Sequence, residues 1–402
     1  MKWFTLLILP LFCFVFYGAY LFQYDLKIIP QELVSQHPYG FYDYKGVLNI
    51  HTRESTGSGT HKEVIRAAQD AGLDFISITD LNDFNPDNSL EAYYDNVLVF
   101  IDGEYSYLNS RLVNLFATST EHLHGVGRSQ VFFNDLLNSN PKPEDAGMLI
   151  LAHPFKQGYT WSGDYPIGLD GIEIINLKQI WQHAWLTRKM SFLWSLLIFP
   201  FNDRLAFIRL VEDMKDEVAL LDELSQTRHR VGISGADAEA RFLFGEVSWI
   251  RFPSYETLFS ISTNHVLLRS ELTGNEKSDR EKISQAIRKG SFYISFDILA
   301  NPKGFNAVLR SANGRVSTMG SELKWEEGMQ LEIDLPHKPN VPFDVDIYKD
   351  GELMVVSNSK RTVFQVPGPG VYRVRVRVIP TFPLPDGKRW VPWIYGNPFF
   401  LK

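Results

Sequence analysis

The sequence predicts an α/β barrel followed by a small β-sandwich, with a membrane-spanning helix in front of both. Three observations carry that prediction. Between about Gly46 and Gly290, short apolar runs alternate with helical patterns, as in parallel strands covered by helices. From about Asn301 onward, apolar and polar residues alternate instead, as in half-buried antiparallel strands. At the start, Trp3 to Phe22, "WFTLLILPLFCFVFYGAYLF", carries no charge.

That first run is about 20 residues long, which matches a hydrocarbon core of ~30 Å at 1.5 Å per residue. Lys2 precedes it, and Asp25 and Lys27 follow. A cleaved signal has a shorter apolar stretch and a small-residue exit. Residues 1–24 are therefore expected to be a retained single-pass anchor, with a cleaved signal as the alternative. The body is expected on the outer, periplasmic or extracellular, side, or secreted. Cys13 in this run is the only cysteine, so any metal must be held by His, Asp, Glu and neutral oxygens.

Residues 40–298 are expected to form the barrel. Its candidate strands are "GVLNIH", "FISIT", "VLVFIDGE", "MLILAHP", "GIEIIN", "RVGISGAD" and "VSWIRFP". Such near-continuous apolar runs suit strands buried on both faces. After the first strand, Thr60 and Glu63 have capping-box spacing, and Val64, Ile65, Ala68 and Ala71 make one apolar face before Gly72. A second helix is expected from near Ser278, with Ile283, Ala286 and Ile287 inward and a stop at Gly290. The segment Met190 to Phe201, "MSFLWSLLIFPF", is apolar but too short to cross a bilayer. It suits a buried barrel helix or, with Arg188 and Lys189 just before it, an interfacial one.

Residues 301–402 are expected to be the β-sandwich. "FDVDIYKDGELMVVS", "RTVFQVP" and "GVYRVRVRVIP" alternate, broken by Asp350-Gly351 and Pro367-Gly368. The terminal "WVPWIYGNPFFLK" should pack back on one of the two units.

A formal charge of −7 argues against a broad nucleic-acid-binding surface but not against a small anionic substrate. No G-x-x-x-x-G-K-[ST] or G-x-S-x-G motif is present. The informative pattern lies at the strand ends: Asn49 and His51, Asp80, Glu104, His153, Glu173 with Asn176, then Asp237 and Glu239. One such residue would mean little. Six consecutive strands delivering one at the same end match the face on which β/α barrels build their sites.

In order and spacing, "NIHT", "TDLND", "GEY", "LAHPF" and "SGADAEA" resemble the motifs of the polymerase-and-histidinol-phosphatase (PHP) family of metal-dependent phosphoesterases. "AIRKGSFYIS" and the closing "GNPFFL" look more like its carbaryl-hydrolase-like branch. The resemblance implies a distorted seven-stranded (β/α)7 barrel with two or three metals, typically Zn²⁺, Mn²⁺ or Fe; the altered ligand set and its charge reduce the expectation to one or two divalent ions (Mn²⁺, Mg²⁺ or Zn²⁺). The resemblance also implies hydrolysis of a phosphate ester: a monoester, a diester or a nucleic-acid end. His51, Asp80, Glu104, His153 and Asp237 match family metal ligands. Asn49, Leu81 and Glu239 stand where the family has histidines, and Arg111 stands near a further one.

Asn49 and Glu239 keep oxygen donors and shift preference towards harder ions, whereas Leu81 can ligate nothing. Asp80, Glu104, Asp237 and Glu239 bring four negative charges against the one positive charge of Arg111. Such clustering favours a bound cation. His153 or Glu239 is expected to carry the proton, and Arg111 to grip a phosphate. His122 and His124 could replace a lost ligand, or simply lie on a surface loop. The expected function is a membrane-anchored metal-dependent phosphoesterase. The alternative is a catalytically degenerate barrel that binds or scaffolds at the membrane.

Overall fold

A computed structural model describes residues 2–26, 28–30, 38–118, 127–244 and 248–402. Its first nine strands are β1 (Tyr42–Ile50), β2 (Phe75–Ile78), β3 (Tyr93–Tyr94), β4 (Val97–Ile101), β5 (Gly103–Tyr107), β6 (Ser110–Leu115), β7 (Met148–Leu151), β8 (Gly171–Asn176) and β9 (Val231–Ala238). All but β3, a two-residue strand antiparallel to β4, close into a barrel. The order around it is β4, β2, β1, β9, β8, β7, β6, β5, and the chain from β4 into β5 through Asp102 completes the ring. Neighbours are parallel except at β6, which runs against both β5 and β7. Every residue of β2, β4, β7, β8 and β9 is buried, which is why these strands read as unbroken apolar runs.

The helix after β1, His61–Asp70, begins with the predicted capping box, Thr60 and Glu63 each bonding the other's backbone. The later helix starts earlier than expected, at Glu276, because Asn275 caps it by accepting from the Ser278 amide. "VSWIRFP" is not a barrel strand. Ser248–Ile250 pairs with Phe242–Phe244 as a two-stranded ribbon, leaving Trp249 and Ile250 exposed. Thr263–Leu268 lies antiparallel to the first half of β1 instead.

From there the ladder runs without a break into the C-terminal region. Thr263–Leu268 pairs with Phe292–Ser295, which pairs with Val391–Gly396, which pairs with Gly370–Val378. A separate four-stranded antiparallel sheet is built from Val316–Thr318, Asn306–Arg310, Gln330–Asp334 and Arg361–Gln365. In the terminal segment Trp393, Tyr395 and Phe399 are buried, and the Asn397 side chain bonds both backbone polar groups of Gly232 on β9.

The expected membrane anchor is corrected here: among the described residues no helix is long and apolar enough to cross a membrane. The helix Lys2–Phe22 contains Pro10, and its later turns are used inside the fold. Leu21 is fully buried. The Asn202 amide donates to the Leu21 and Tyr24 carbonyls at 2.9 Å each. Phe14 meets Phe201 and Trp194 edge-on at 5.6 and 6.2 Å. A Cβ on Gly18 would lie 2.4 Å from the Phe201 ring, so glycine permits this contact. The apolar segment around residue 195 is thus the partner of the N-terminal helix, with Phe192, Ser195 and Ile198 buried. Part of the helix's apolar surface is used for packing, while Leu9, Phe12, Phe16 and Phe22 stay exposed.

Candidate functional site

Three strand ends turn through left-handed backbone: Asn49 (φ 60°), His153 (φ 33°) and Asp237 (φ 44°). Asn, His and Asp are among the residues that tolerate this region. Such strain persists where the surroundings over-determine it, and it clusters at functional sites. Beneath these turns lies Glu173 on β8. Its carboxylate accepts from the Asn49 amide at 2.7 Å, the His153 backbone N–H at 2.8 Å and the Asn176 amide at 2.8 Å. Burial lifts its pKa to about 7, against the pull of the Asn49 hydrogen bond and helped by the Asp237 and Glu104 charges. A Cβ at Gly235 would lie 1.7 Å from Glu173 Oε1, so glycine in "SGAD" makes room for this hub.

Above it, four of the predicted residues meet. His51 Nε2 lies 3.1 Å from Glu104 Oε2 and 3.5 Å from Asp237 Oδ1. His153 Nε2 lies 3.7 Å from Glu104 Oε1. All four side chains are buried. The two imidazoles are driven in opposite directions. Burial works against charge on His51, but Asp237 and Glu104 outweigh it and raise its pKa to about 10. Burial, aided by the Lys156 charge, lowers His153 to about 4 and keeps it neutral. His51 Nδ1, His153 Nδ1 and Glu104 Oε1 are buried without a hydrogen-bond partner.

Two lysines complete the cluster, and neither was singled out in the sequence. Lys156 Nζ lies 3.3 Å from Asp237 Oδ2. Lys178 Nζ lies 3.2 Å from Asp237 Oδ1 and also pairs with Glu239. Burial opposes the Lys178 charge, yet the Asp237 and Glu239 carboxylates raise its pKa above the ordinary value. Burial alone would push the Asp237 carboxyl up, but Lys178, Lys156 and His51 hold it well below the usual range. Lys178 stands in the first turn of the helix Leu177–Thr187, where a cation opposes the helix dipole. That unfavourable placement was the one clue in the sequence to a carboxylate partner.

The other predicted residues are engaged elsewhere. Both ends of the Asn49 amide are used, since Oδ1 accepts from Thr79 Oγ1 at 3.0 Å while the amide nitrogen holds Glu173. Asp80 accepts from the Thr52 N–H at 2.7 Å, the Thr52 hydroxyl at 2.6 Å and the Ser55 hydroxyl. Leu81 joins Glu104 by a backbone bridge. Arg111 bonds Ser106 and lies 5.0 Å from the Tyr159 ring centre. Lys156 lies 5.1 Å from the same ring, and the His153 ring meets it edge-on at 5.3 Å. Tyr159, also missed in the sequence, therefore ties two cations to the neutral histidine. His122 and His124 lie outside the described residues. A small cavity of about 90 Å³ opens beside the cluster, lined among others by Lys178, Trp181, Asp237, Glu239 and Phe252.

The expected divalent ion finds no ready cage: among the described residues no group of three or more His, Cys, Asp or Glu side chains is arranged to hold one. The donors are present but committed. Both Asp237 oxygens face ammonium groups, Glu239 is held by Lys178, and Asp80 and Asn49 are saturated by hydroxyls and amides. Glu104 Oε1, His51 Nδ1 and His153 Nδ1 have no hydrogen-bond partner, but among the described residues no three such groups are arranged around one point, as even an open zinc site requires.

No protein-family model and no curated protein matches this chain. Among solved structures it is similar to the crystal structure of a two-domain protein containing a predicted PHP-like metal-dependent phosphoesterase from Bacteroides vulgatus. The identity is 13% and the TM-score 0.35, over 92% of this chain and 98% of that one.

Proposed function

We propose that the chain takes a small phosphate ester at the mouth of the barrel and hydrolyses it with its own side chains. One observation carries this reading. His51, Glu104, His153 and Asp237 converge from separate strand ends, His153 and Asp237 on strained backbone, beside Lys156, Lys178 and Arg111.

Phosphoryl transfer asks for little covalent chemistry from a protein, and positioning plus charge stabilisation do most of the work. The guanidinium of Arg111 and the ammonium of Lys156, both laid over Tyr159, are suited to the phosphoryl oxygens. Neutral His153 is the group able to accept a proton from an attacking water. Protonated His51 spans Glu104 and Asp237 and fixes both carboxylates. Glu239, expected to share the proton-carrying role, is tied by its carboxylate to Lys178.

A second reading has a specific observation behind it. Lys156 and Lys178 already spend their charge on Asp237 and Glu239, as in a site that binds an anion without turning it over. Hydrolysis of p-nitrophenyl phosphate and bis(p-nitrophenyl) phosphate, with calorimetric titration of inorganic phosphate, separates the two. Product release that falls in Arg111→Ala supports the hydrolase. Phosphate binding without product supports the binder. The absence of both product and phosphate binding would sink both readings.

A further inference from the structure

We infer that Lys156 and Lys178 stand in the place of a divalent ion at Asp237, so that the mouth of this barrel meets its anionic ligand with fixed ammonium charges and takes up no metal. This inference rests on the barrel mouth being the functional site. It does not depend on turnover.

The argument begins with what an ion would need. Ligand atoms must present free lone pairs to one point about 2.0–2.2 Å away. Asp237 joins the two halves of the cluster, and each of its carboxylate oxygens already faces an ammonium group where an ion would have to sit. Lys178 takes Oδ1 at 3.2 Å, with His51 at 3.5 Å from the same oxygen, and Lys156 takes Oδ2 at 3.3 Å. Glu239 closes the arrangement from the far side by pairing with Lys178.

Charge points the same way. The carboxylates of Asp237 and Glu239 face the ammonium groups of Lys156 and Lys178, with Glu104 reached by His51 at 3.1 Å. Buried carboxylates repel one another unless a cation lies among them, and here the chain supplies its own. A dication added beside Asp237 would be repelled by the two ammonium groups and would have to displace both.

The substitutions also fit together. A histidine at position 239 would offer Lys178 no carboxylate, and a second imidazole at position 81 would need an ion to bind. Glu239 and Leu81 suit a site organised around lysine. Lys178 in turn is placed against the helix dipole in the first turn of Leu177–Thr187, a position that makes sense only beside Asp237 and Glu239. Lys156 follows His153 within one tight turn, the Lys156 N–H donating to the His153 carbonyl at 3.0 Å. The cation is thereby fixed to the same loop as the neutral imidazole.

The test measures metal content and melting temperature, not activity, so it can fail while the hydrolase reading stands, and the reverse. The full chain is purified, dialysed against EDTA, and then exposed separately to Zn²⁺, Mn²⁺ and Mg²⁺. The expected result is no retained metal above the buffer blank and an unchanged melting temperature. Lys156→Met/Lys178→Met should then gain a metal-dependent rise in melting temperature that EDTA reverses, while Lys156→Arg/Lys178→Arg should not. Stoichiometric metal on the wild-type chain, or a melting temperature raised by any of the three ions, would overturn the inference. So would a folded methionine variant that still ignores all three. If the methionine variant does not fold, the wild-type measurement decides alone.

Discussion

Two buried histidines, His51 and His265, are each clasped by two carboxylates at opposite ends of β1. Asp43 near the start of the strand holds His265 Nδ1 at 2.8 Å, and Asp297 takes Nε2 at 3.1 Å. Tyr293 stacks on the ring at 4.7 Å and donates to Asp43 at 2.6 Å. Burial opposes the charge in both histidines, and in both the carboxylates prevail and raise the pKa to about 10. The resemblance ends there. Around His265 both ring nitrogens are bonded. Around His51 one ring nitrogen, one Glu104 oxygen and one His153 nitrogen are orphaned, and the adjoining backbone is strained. A buried ion pair built for stability satisfies its members, whereas one built for a ligand leaves vacancies.

The largest expected effect breaks that comparison open. Asp43→Ala should cost about 3–5 kcal/mol in urea unfolding, because a buried charged imidazole and the Tyr293 hydroxyl lose their partner together. Asp237→Ala should cost less, about 1–3 kcal/mol, since His51 keeps Glu104 at 3.1 Å and Lys178, 38% exposed, can turn to water. If Asp237→Ala proves the more damaging change, the mouth is a structural cluster and the functional reading weakens.

Next is pH. Both histidines have folded-state values near 10 against an ordinary 6.5, so protons bind more tightly to the folded chain. Their contribution is therefore fully present below about pH 6.5 and is lost as pH rises through 10, by on the order of a few kcal/mol. Urea midpoints measured from pH 6.5 to 10 should fall, and either His51→Gln or His265→Gln should flatten the decline. A curve unchanged by His51→Gln would mean that the mouth imidazole is neutral and that the two clusters are not alike.

How much of this was legible depended on distance along the chain. The Thr60–Glu63 capping box is local, and it was read correctly. The residues at the strand ends were legible because each closes an apolar run of fixed period. Lys156 and Lys178 were not, because their partners lie 81 and 61 positions away and the meeting depends on left-handed turns at His153 and Asp237. A charge count along the sequence therefore misses these two cations among the carboxylates. The N-terminal helix failed for a related reason. Hydropathy is the same for a helix in lipid and for one packed on Phe201 and Trp194, and only the fold distinguishes them.

A smaller effect probes the hub that joins mouth to barrel. Gly235→Ala puts a methyl group where Glu173 Oε1 now lies, 1.7 Å from the new Cβ. Moving that carboxylate frees Asn49 and the His153 backbone at once, and should cost about 1–3 kcal/mol. Because Glu173 aligns the mouth without entering it, activity or phosphate affinity should fall further than the stability loss alone would predict. A stable chain with unchanged ligand affinity would detach the hub from the site.

The smallest expected effect is the most specific. Arg111 is half-buried, bonds Ser106 and lies over Tyr159, but it has no carboxylate partner among the described residues. Arg111→Lys keeps the charge while removing the planar fork, so stability should stay within about 0.5 kcal/mol. Phosphate affinity, or KM for a phosphate ester, should weaken by about tenfold, the worth of one lost charge-assisted hydrogen bond at 1.4 kcal/mol. At the His265 end the imidazole itself is spent on two carboxylates. An Arg111→Lys chain that binds phosphate as tightly as the wild type would show that the guanidinium only braces Tyr159. The anion would then be left to Lys156 and Lys178, the two cations already committed to Asp237.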